Sequence, residues 1–153
     1  YAKPDQTPTD SLSLKDLVNE IVQSQKTLGS SIQWNTEISG ELKILGNRDK
    51  LKQAFLNLLV NAEQAVKEAK AAAITVKCFD EGDFVKVEIK DNGCGMSEET
   101  KKRMFEPFFT TKAKGTGLGL AVTRKIFEMH RAQVQVDSQM DLGTSFQIQF
   151  QSQ

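Results

Sequence analysis

The sequence has 153 residues, which is long enough for one domain with a buried core. Its 20 acidic and 20 basic residues balance, so no net charge favours nucleic acid or an anionic membrane surface. The sequence has no membrane-length apolar run and no signal-peptide pattern. Its two cysteines are far apart and in no metal-like spacing, which fits a reducing cytosol. Its single histidine argues against a histidine metal cluster or a Ser-His-Asp triad. We therefore expect a cytoplasmic domain that itself contacts neither nucleic acid nor membrane; membrane anchoring of the full-length protein stays open.

The first half of the chain predicts helix, strand, strand, helix. Residues 1–11 are rich in proline, threonine and aspartate and are expected to be a linker, so the domain is placed at residues 12–153. A helix follows with Ser13 as its cap, then a strand at residues 32–38 and a short one in "LKILG". A long helix is predicted from about Asp49 to Lys70, with an apolar stripe of Leu51, Phe55, Leu58, Leu59, Ala62 and Val66.

The second half predicts a hairpin, two helices and a closing strand pair. Alternation at residues 74–78 and 85–89 around "DEGD" is typical of a hairpin, and Ser97 caps a short helix in "SEETKKRMF". After the loop "EPFFTTKAKGTG", the next helix is expected to bury Leu118, Val122, Ile126 and Met129. Strands at residues 134–136 and 146–150 turn at "MDLG". This order indicates an α+β fold, with helices on one face of a mostly antiparallel sheet.

One face of the long helix carries amides at helical spacing. Gln53, Asn57, Asn61 and Gln64 lie opposite the core stripe, which fits a solvated face. Asparagine is a poorer helix former than Lys, Glu or Arg, however, and the carbonyl oxygens of Asn57 and Asn61 suit a hard cation such as Mg²⁺. Both interpretations stay open on spacing alone.

Two glycine-rich segments follow predicted strand or loop ends. In "DNGCGM", Asp91 either belongs to a simple turn or accepts a hydrogen bond from a ligand amino group, with Gly93 and Gly95 admitting a flat ring. In "KGTGLGLAV", Gly115, Gly117 and Gly119 precede a helix, and bare amides at a helix start can bind phosphate. The first segment does not fit the dinucleotide fingerprint, because Glu98 stands where its third glycine would be, and the second does not fit the P-loop, because Leu120 and Ala121 stand where Lys and Ser/Thr would be.

Taken in order, these segments resemble the ATP-binding catalytic domain of sensor histidine kinases. "LKQAFLNLLVNAEQA" matches the family's asparagine box, "DNGCGM" and "GTGLGLAV" its two glycine boxes, "FEPFFTTK" its phenylalanine box and "GTSFQIQF" its closing strand. The superfamily includes DNA gyrase, the heat-shock chaperone ATPase and mismatch-repair ATPases. The resemblance implies a two-layer α/β sandwich of the Bergerat type with a mixed, mostly antiparallel sheet.

The resemblance also assigns site residues. Asn61 and Asn57 would hold Mg²⁺ on the ATP phosphates, and Asp91 would recognise the adenine amino group, with Thr144 supporting it through water. Phe105, Phe108 and Phe109 would anchor a mobile lid, although core packing is the simpler interpretation of Phe105. The residues implied to contact ATP are Asn61, Asp91, Gly93, Gly95, Thr111, Lys112, Gly115, Thr116, Gly117, Leu118, Gly119 and Thr144.

The position of Asn57 distinguishes branches of the superfamily. Its ATP hydrolases carry a glutamate there to activate water, whereas an amide is a poor base. The resemblance therefore implies a protein histidine kinase whose catalytic residues are Asn57, Asn61 and Lys112 and which transfers the γ-phosphoryl group to a histidine on a separate hairpin. A non-catalytic nucleotide-binding module and an ATP-gated clamp or chaperone fragment are the alternatives.

The resemblance further implies partners that this sequence lacks. "YAKP" is similar to the family's exit from the phosphoacceptor hairpin, and a response regulator would receive the phosphoryl group. His130 lies at a helix end with no hairpin motif around it and is not expected to be the acceptor. We expect this domain to be a monomer and the full kinase a homodimer that forms through the hairpin and is inactive without it.

Overall fold

The computed structural model describes residues 10–28, 31–109 and 119–153. Over these ranges the chain forms seven strands and four helices. In chain order they are β1 (Asp10–Ser13), α1 (Leu14–Lys26), β2 (Gln33–Ile38), β3 (Lys43–Gly46), α2 (Arg48–Ala65), β4 (Ala73–Glu81), β5 (Phe84–Asp91), α3 (Glu98–Arg103), α4 (Gly119–Met129), β6 (Gln133–Gln139) and β7 (Gly143–Gln151).

The strands form two sheets. The main sheet has the order β2-β4-β5-β7-β6, in which β2 and β4 are parallel and every other neighbouring pair is antiparallel. Strands β1 and β3 form a separate antiparallel pair. Pairing in β1 begins at Asp10, so it includes Asp10 and Ser11 from the predicted linker; the domain boundary itself stays a prediction.

The helices cover one face of the main sheet. Side chains alternate between buried and half-exposed along β4, β5 and β7, as expected for a sheet with one face in the core. Helix α2 packs against α1 and α4 and over β5 and β7. At the centre, the rings of Phe55, Phe127 and Phe150 meet with centroids 5.4–6.1 Å apart. The predicted α+β fold is confirmed.

Helix α2 is shorter than predicted. Its six stripe residues are all buried as expected, but the helix ends at Ala65 rather than about Lys70. If the helix continued, the Ala65 carbonyl would accept a hydrogen bond from the Ala69 N–H. The Ala65 carbonyl instead accepts from the Cys94 N–H at 3.2 Å, and the Ala69 N–H donates to the Val66 carbonyl. A contact distant in sequence therefore sets the end of the helix.

The predicted buried stripe of α4 was partly wrong. Ile126 is buried as expected, but Val122 and Met129 are only half-buried, and Leu118 lies outside the described residues. The inward positions are Ala121, Thr123, Ile126 and Phe127. Hydropathy alone missed this face because the polar Thr123 is buried through hydrogen bonds that the sequence does not reveal.

The single histidine joins the end of α4 to the start of α2. His130 Nε2 accepts from the Asn47 N–H at 3.0 Å, which requires Nε2 to be unprotonated, and Nδ1 faces the Ile126 carbonyl at 2.7 Å. Arg131 then adopts φ +55° in the position usually given to glycine, and the Ala132 N–H closes the turn on the Phe127 carbonyl. Both ring nitrogens are engaged, which supports the prediction that His130 is not a phosphoacceptor.

Acid is expected to destabilise the fold through His130. Burial lowers the pKa of His130 from its ordinary value of 6.5, against a smaller opposing effect of the Ile126 carbonyl. The unfolded chain therefore takes up the proton first, so this contribution to stability is complete above pH 6.5 and is lost as pH falls through the folded-state pKa. Thermal melting of the wild type and His130→Gln between pH 7.5 and 5 tests this. The wild type should lose more stability on acidification, and equal slopes would contradict the prediction.

Candidate functional site

Helix α2 links the two glycine-rich segments. Near its middle, the Asn57 amide contacts Gly119 and Thr123 at the start of α4, and at its end the Ala65 carbonyl accepts from Cys94 in "DNGCGM". The positions of Asn57, Asn61 and Ala65 recur every four residues, so they follow one side of the helix over roughly 12 Å. Asn61, which is half-buried, lies between the two contacts. The segments singled out in the sequence therefore meet along one helix.

Asp91 is a buried carboxylate at the end of β5. It is 5% exposed and lies in register between Ile74 on β4 and Thr144 on β7. Its Oδ1 accepts from the Gly93 N–H at 2.8 Å and the Thr144 N–H at 3.3 Å. The described residues give its Oδ2 no donor. The carboxylate is thus fixed through one oxygen, leaving the other for a ligand donor.

The environment of Asp91 carries an energetic cost. Burial raises the pKa of this carboxyl above 3.8, and the two backbone N–H donors offset only part of that shift. Desolvation therefore disfavours the charged form in the folded domain at neutral pH. A buried acid with a raised pKa and an uncommitted oxygen is the kind of group that binding sites contain.

Asn92 holds the segment after Asp91 in place, which the sequence did not reveal. Its Oδ1 accepts from the Ala73 N–H at 2.9 Å and its Nδ2 donates to the Ala71 carbonyl at 2.7 Å. The backbone N–H of Asn92 also donates to the Ala73 carbonyl at 3.3 Å. These three bonds fasten the segment to the start of β4 and the residues just before it, so Asn92 fixes the backbone that follows Asp91.

The two glycines of this segment make room for the protein's own backbone. A Cβ on Gly93 would lie 2.3 Å from the Ala65 carbonyl oxygen, and one on Gly95 would lie 2.0 Å from that of Gln139. Gly95 also has φ +69°. Packing therefore already requires both glycines, and their predicted place beside an adenine ring stays a prediction.

Thr144 belongs to a buried hydroxyl pair. Thr144 and Ser138 are 5% and 7% exposed, and their hydroxyl oxygens are 2.8 Å apart. Ser138 also accepts from the Met96 N–H at 2.9 Å. The pair thus connects β6 and β7 to the end of "DNGCGM". The sequence singled out Thr144 but missed Ser138, whose only sequence signal is its place on β6 opposite Thr144.

The phenylalanine box has one exposed and two half-buried rings. Phe105 packs against the core, with the Arg124 guanidinium 5.5 Å from its ring centre, as the core interpretation of this residue predicted. The Arg103 guanidinium lies over the Phe109 ring, with its central carbon 4.5 Å from the ring centre. Phe108 is 75% exposed and adopts φ +67°. The lid role of these rings stays a prediction.

Six of the predicted site residues lie outside the described residues: Thr111, Lys112, Gly115, Thr116, Gly117 and Leu118. Of the second glycine box, Gly119 is described. No atom of the described chain lies within 4 Å of a Cβ built on Gly119. Packing against the described residues therefore does not require glycine at position 119, in contrast to positions 93 and 95. Close approach of a ligand to the backbone is one reason for a glycine here.

Carboxylate, thiolate and imidazole groups do not cluster in the described part of the chain. No group of three or more His, Cys, Asp or Glu residues there could hold a metal ion. The described helices are also all too short or too polar to cross a bilayer.

The family comparison identifies the class of protein. Residues 46–153 match the family model described as histidine kinase-, DNA gyrase B-, and HSP90-like ATPase. The chain therefore belongs to this family of ATPases, and the resemblance inferred from the ordered sequence boxes is confirmed.

Individual relatives are histidine kinases. The chain is 35% identical over 151 residues to the signal transduction histidine-protein kinase AtoS of Escherichia coli, covering 97% of this chain and 25% of AtoS. It is 37% identical over 153 residues to sporulation kinase A of Bacillus subtilis, again covering 97% of this chain and 25% of that kinase. The chain thus spans a quarter of each relative's length.

Solved structures share the fold. The nucleotide-free catalytic domain of histidine kinase ThkA superimposes with a TM-score of 0.81 at 29% identity, over 94% of this chain and 95% of that one. The mycobacterial sensor histidine kinase MprB gives a TM-score of 0.84 at 21% identity, over 95% and 98% of the two chains. The latter likeness concerns the fold alone.

Proposed function

We propose that this domain binds Mg-ATP and presents its γ-phosphoryl group to a histidine on a separate phosphoacceptor hairpin, in two-component signalling. The observation that carries the proposal is the connection of α2 to both glycine segments, through Asn57 at one and Ala65 at the other. A nucleotide lying along this side of α2 would have its purine at Asp91 and its phosphates near the start of α4. The kinase names of AtoS and sporulation kinase A support this assignment.

Asp91 is the proposed adenine-recognition group. Its Oδ2 can accept from an exocyclic amino group while Oδ1 is held by the backbone. A guanine would place a carbonyl oxygen against the carboxylate, so ATP is preferred over GTP. Thr144 fixes this arrangement through its backbone N–H and its hydroxyl bond to Ser138.

The phosphate end is proposed to combine α2 amides with the second glycine box. The Asn57 Nδ2 faces Gly119 and Thr123, so the Asn57 carbonyl oxygen is directed to another side, and Asn61 lies one turn further along α2. Amide oxygens are suitable ligands for Mg²⁺, which would neutralise phosphate charge during transfer. Gly119, and by the family pattern Lys112, Gly115 and Gly117, would contact the phosphates.

Asn57 also disfavours the hydrolase alternative. Its NH₂ group donates to the Gly119 carbonyl at 3.3 Å and to the Thr123 hydroxyl at 3.2 Å. A glutamate, as in the hydrolases, could not donate either bond and would place a carboxylate against a carbonyl oxygen. The residue therefore helps to hold α4, and we propose that the domain keeps ATP for a histidine nucleophile instead of activating water.

The proposed partners are the domain's own phosphoacceptor hairpin and a response regulator. We propose that this domain by itself is a monomer and that a longer kinase forms a homodimer through the hairpin. The cytoplasm is the proposed location, in accord with a buried Cys78, an exposed Cys94 and no disulfide between them.

Mixing the domain with its hairpin tests the proposal. With γ-labelled ATP and Mg²⁺, label should appear on the hairpin histidine, and the domain alone should stay unlabelled. Asn61→Ala should abolish transfer because it removes an amide oxygen from the phosphate end, whereas Gln53→Ala, at an exposed position on the same helix, should leave it unchanged.

Three outcomes would contradict the proposal, each in a different way. Nucleotide binding without transfer would favour the non-catalytic module. Rapid release of free phosphate by the domain alone would favour the hydrolase alternative. Label on His130 would place the phosphoacceptor within this domain and contradict transfer to a separate hairpin.

A further inference from the structure

Thr123 is a buried polar residue that the sequence assigned neither to the core nor to the site. It is 1% exposed on the inner side of α4. Its hydroxyl donates to the Gly119 carbonyl at 2.8 Å and accepts from the Asn57 amide at 3.2 Å. The Asn57 amide also donates to the Gly119 carbonyl at 3.3 Å. The three groups form a closed set of hydrogen bonds between α2 and the first turn of α4.

The direction of each bond follows from the chemistry of the groups. The Gly119 carbonyl can only accept, so the single hydroxyl proton of Thr123 is donated to it. The Thr123 oxygen is then left to accept, and Asn57 must turn its NH₂ group toward both acceptors. The Asn57 carbonyl oxygen therefore points away from α4. Thr123 and the Gly119 carbonyl together thus determine which end of the Asn57 amide faces away from α4.

From this geometry we infer that Thr123 is a positioning residue for the metal-bound phosphates. It acts through Asn57 and Gly119 without touching the ligand. Valine has the same shape as threonine and would fill the same space, but it cannot bond to either group. Without this acceptor, the Asn57 amide keeps only its longer bond to the Gly119 carbonyl, at 3.3 Å, and its orientation is held less firmly. The inference rests on the proposed function, because it concerns how the phosphates of ATP are held.

The inference predicts a selective loss of affinity in Thr123→Val. Binding of Mg-ATP should weaken about tenfold, the effect of losing one well-formed hydrogen bond to a buried group. Binding of adenosine, which reaches only the Asp91 end, should not change. Thr123→Ser keeps the hydroxyl and should restore the affinity for Mg-ATP. Calorimetry with Mg-ATP and adenosine on the three proteins measures this pattern.

Two results would overturn the inference. Equal weakening for Mg-ATP and adenosine would mean that Thr123 supports the fold as a whole, and unchanged Mg-ATP affinity would mean that it positions nothing. A cycle with Asn57→Ala adds a further criterion, since Thr123→Val should have little extra effect once the amide is gone. Full additivity of the two losses would contradict coupling through Asn57.

A measurement without ligand separates this inference from the proposed function. If the wild type bound neither ATP nor adenosine, the proposed function would fail by itself. Hydrogen exchange of the first turn of α4 would then decide about Thr123. Faster exchange there in Thr123→Val, but not in Thr123→Ser, supports the connection to α2. Exchange unchanged from wild type in both variants refutes it.

Discussion

Asp91→Asn is expected to reduce binding of Mg-ATP by at least about a hundredfold while the domain stays folded. The asparagine Oδ1 can keep both backbone bonds, from Gly93 and Thr144. Its NH₂ group then replaces the second carboxylate oxygen and meets the adenine amino group with a donor against a donor. The substitution exchanges one oxygen for an NH₂ group and so replaces an acceptor by a donor at this position.

Although Asp91→Asn should lose ATP affinity, its folding stability should be equal to or higher than that of the wild type. Because burial raises the pKa of Asp91, the folded domain holds this proton more tightly than the unfolded chain does. The stability cost of the charge is present above the folded-state pKa and disappears as pH falls below the unfolded value. A neutral amide avoids that cost at pH 7, so the melting temperature should equal or exceed that of the wild type.

Calorimetric titration and thermal melting of the same protein samples test both effects. Asp83→Asn is the matched control, since it neutralises an exposed acid in the turn between β4 and β5. It should change neither affinity nor stability. Equal ATP affinity in wild type and Asp91→Asn would overturn the adenine assignment, and a strongly destabilised variant would show that the carboxylate serves the fold.

Gly95→Ala is expected to cost about 3 kcal/mol or more of unfolding free energy, combining left-handed backbone strain with overpacking. The new Cβ would lie 2.0 Å from the Gln139 carbonyl oxygen and 3.1 Å from the Met140 Cα. Both neighbours are backbone atoms that cannot rotate away. Relief requires the segment after Asp91 to separate from the turn between β6 and β7.

Gly82→Ala provides a close control for this effect. Gly82 has φ +68°, almost the same as the +69° of Gly95, but no described atom lies within 4 Å of its Cβ position. Its replacement should cost only the backbone strain, about 1 kcal/mol. Urea unfolding measures the free energy of unfolding of both variants, and the difference between their losses gives the cost of the clash at Gly95. Equal losses would show that the segment moves without resistance and that close packing does not fix Asp91.

Local patterns were sufficient to predict most of the fold. Periodicity identified the core stripe of α2 and the β4–β5 and β6–β7 hairpins. Burial of one face places apolar residues at regular intervals, which can be seen directly in the sequence. Ser13 and Ser97 were predicted as helix caps, and each accepts from the N–H three residues later. These features depend on neighbours close in the chain, so the sequence contains them.

The errors concern contacts between distant segments. The end of α2 depends on the Cys94 N–H, and the burial of Thr123 depends on Asn57. No local window contains either pair. The roles of Asn92 and Ser138 were missed for the same reason, since their partners belong to strands that meet only in the folded sheet.

For the site, the sequence identified the important residues but not always the physical role of each. Gly93 and Gly95 were singled out as space for a ring, yet their nearest neighbours are backbone atoms of Ala65 and Gln139. The order of the boxes carried the family assignment, which spacing and hydropathy alone could not provide. What the fold adds is the common helix along which the boxes meet.

Hydrogen bonds join helices α2 and α4 at two places. His130 joins the far end of α4 to the Asn47 backbone at the start of α2, and Asn57 joins the middle of α2 to the beginning of α4. Because these attachments lie at separate points along both helices, they restrict both sliding and rotation of α4 against α2. A displacement of the end of α4 would therefore be passed to the start of α2 through the bond between His130 and Asn47.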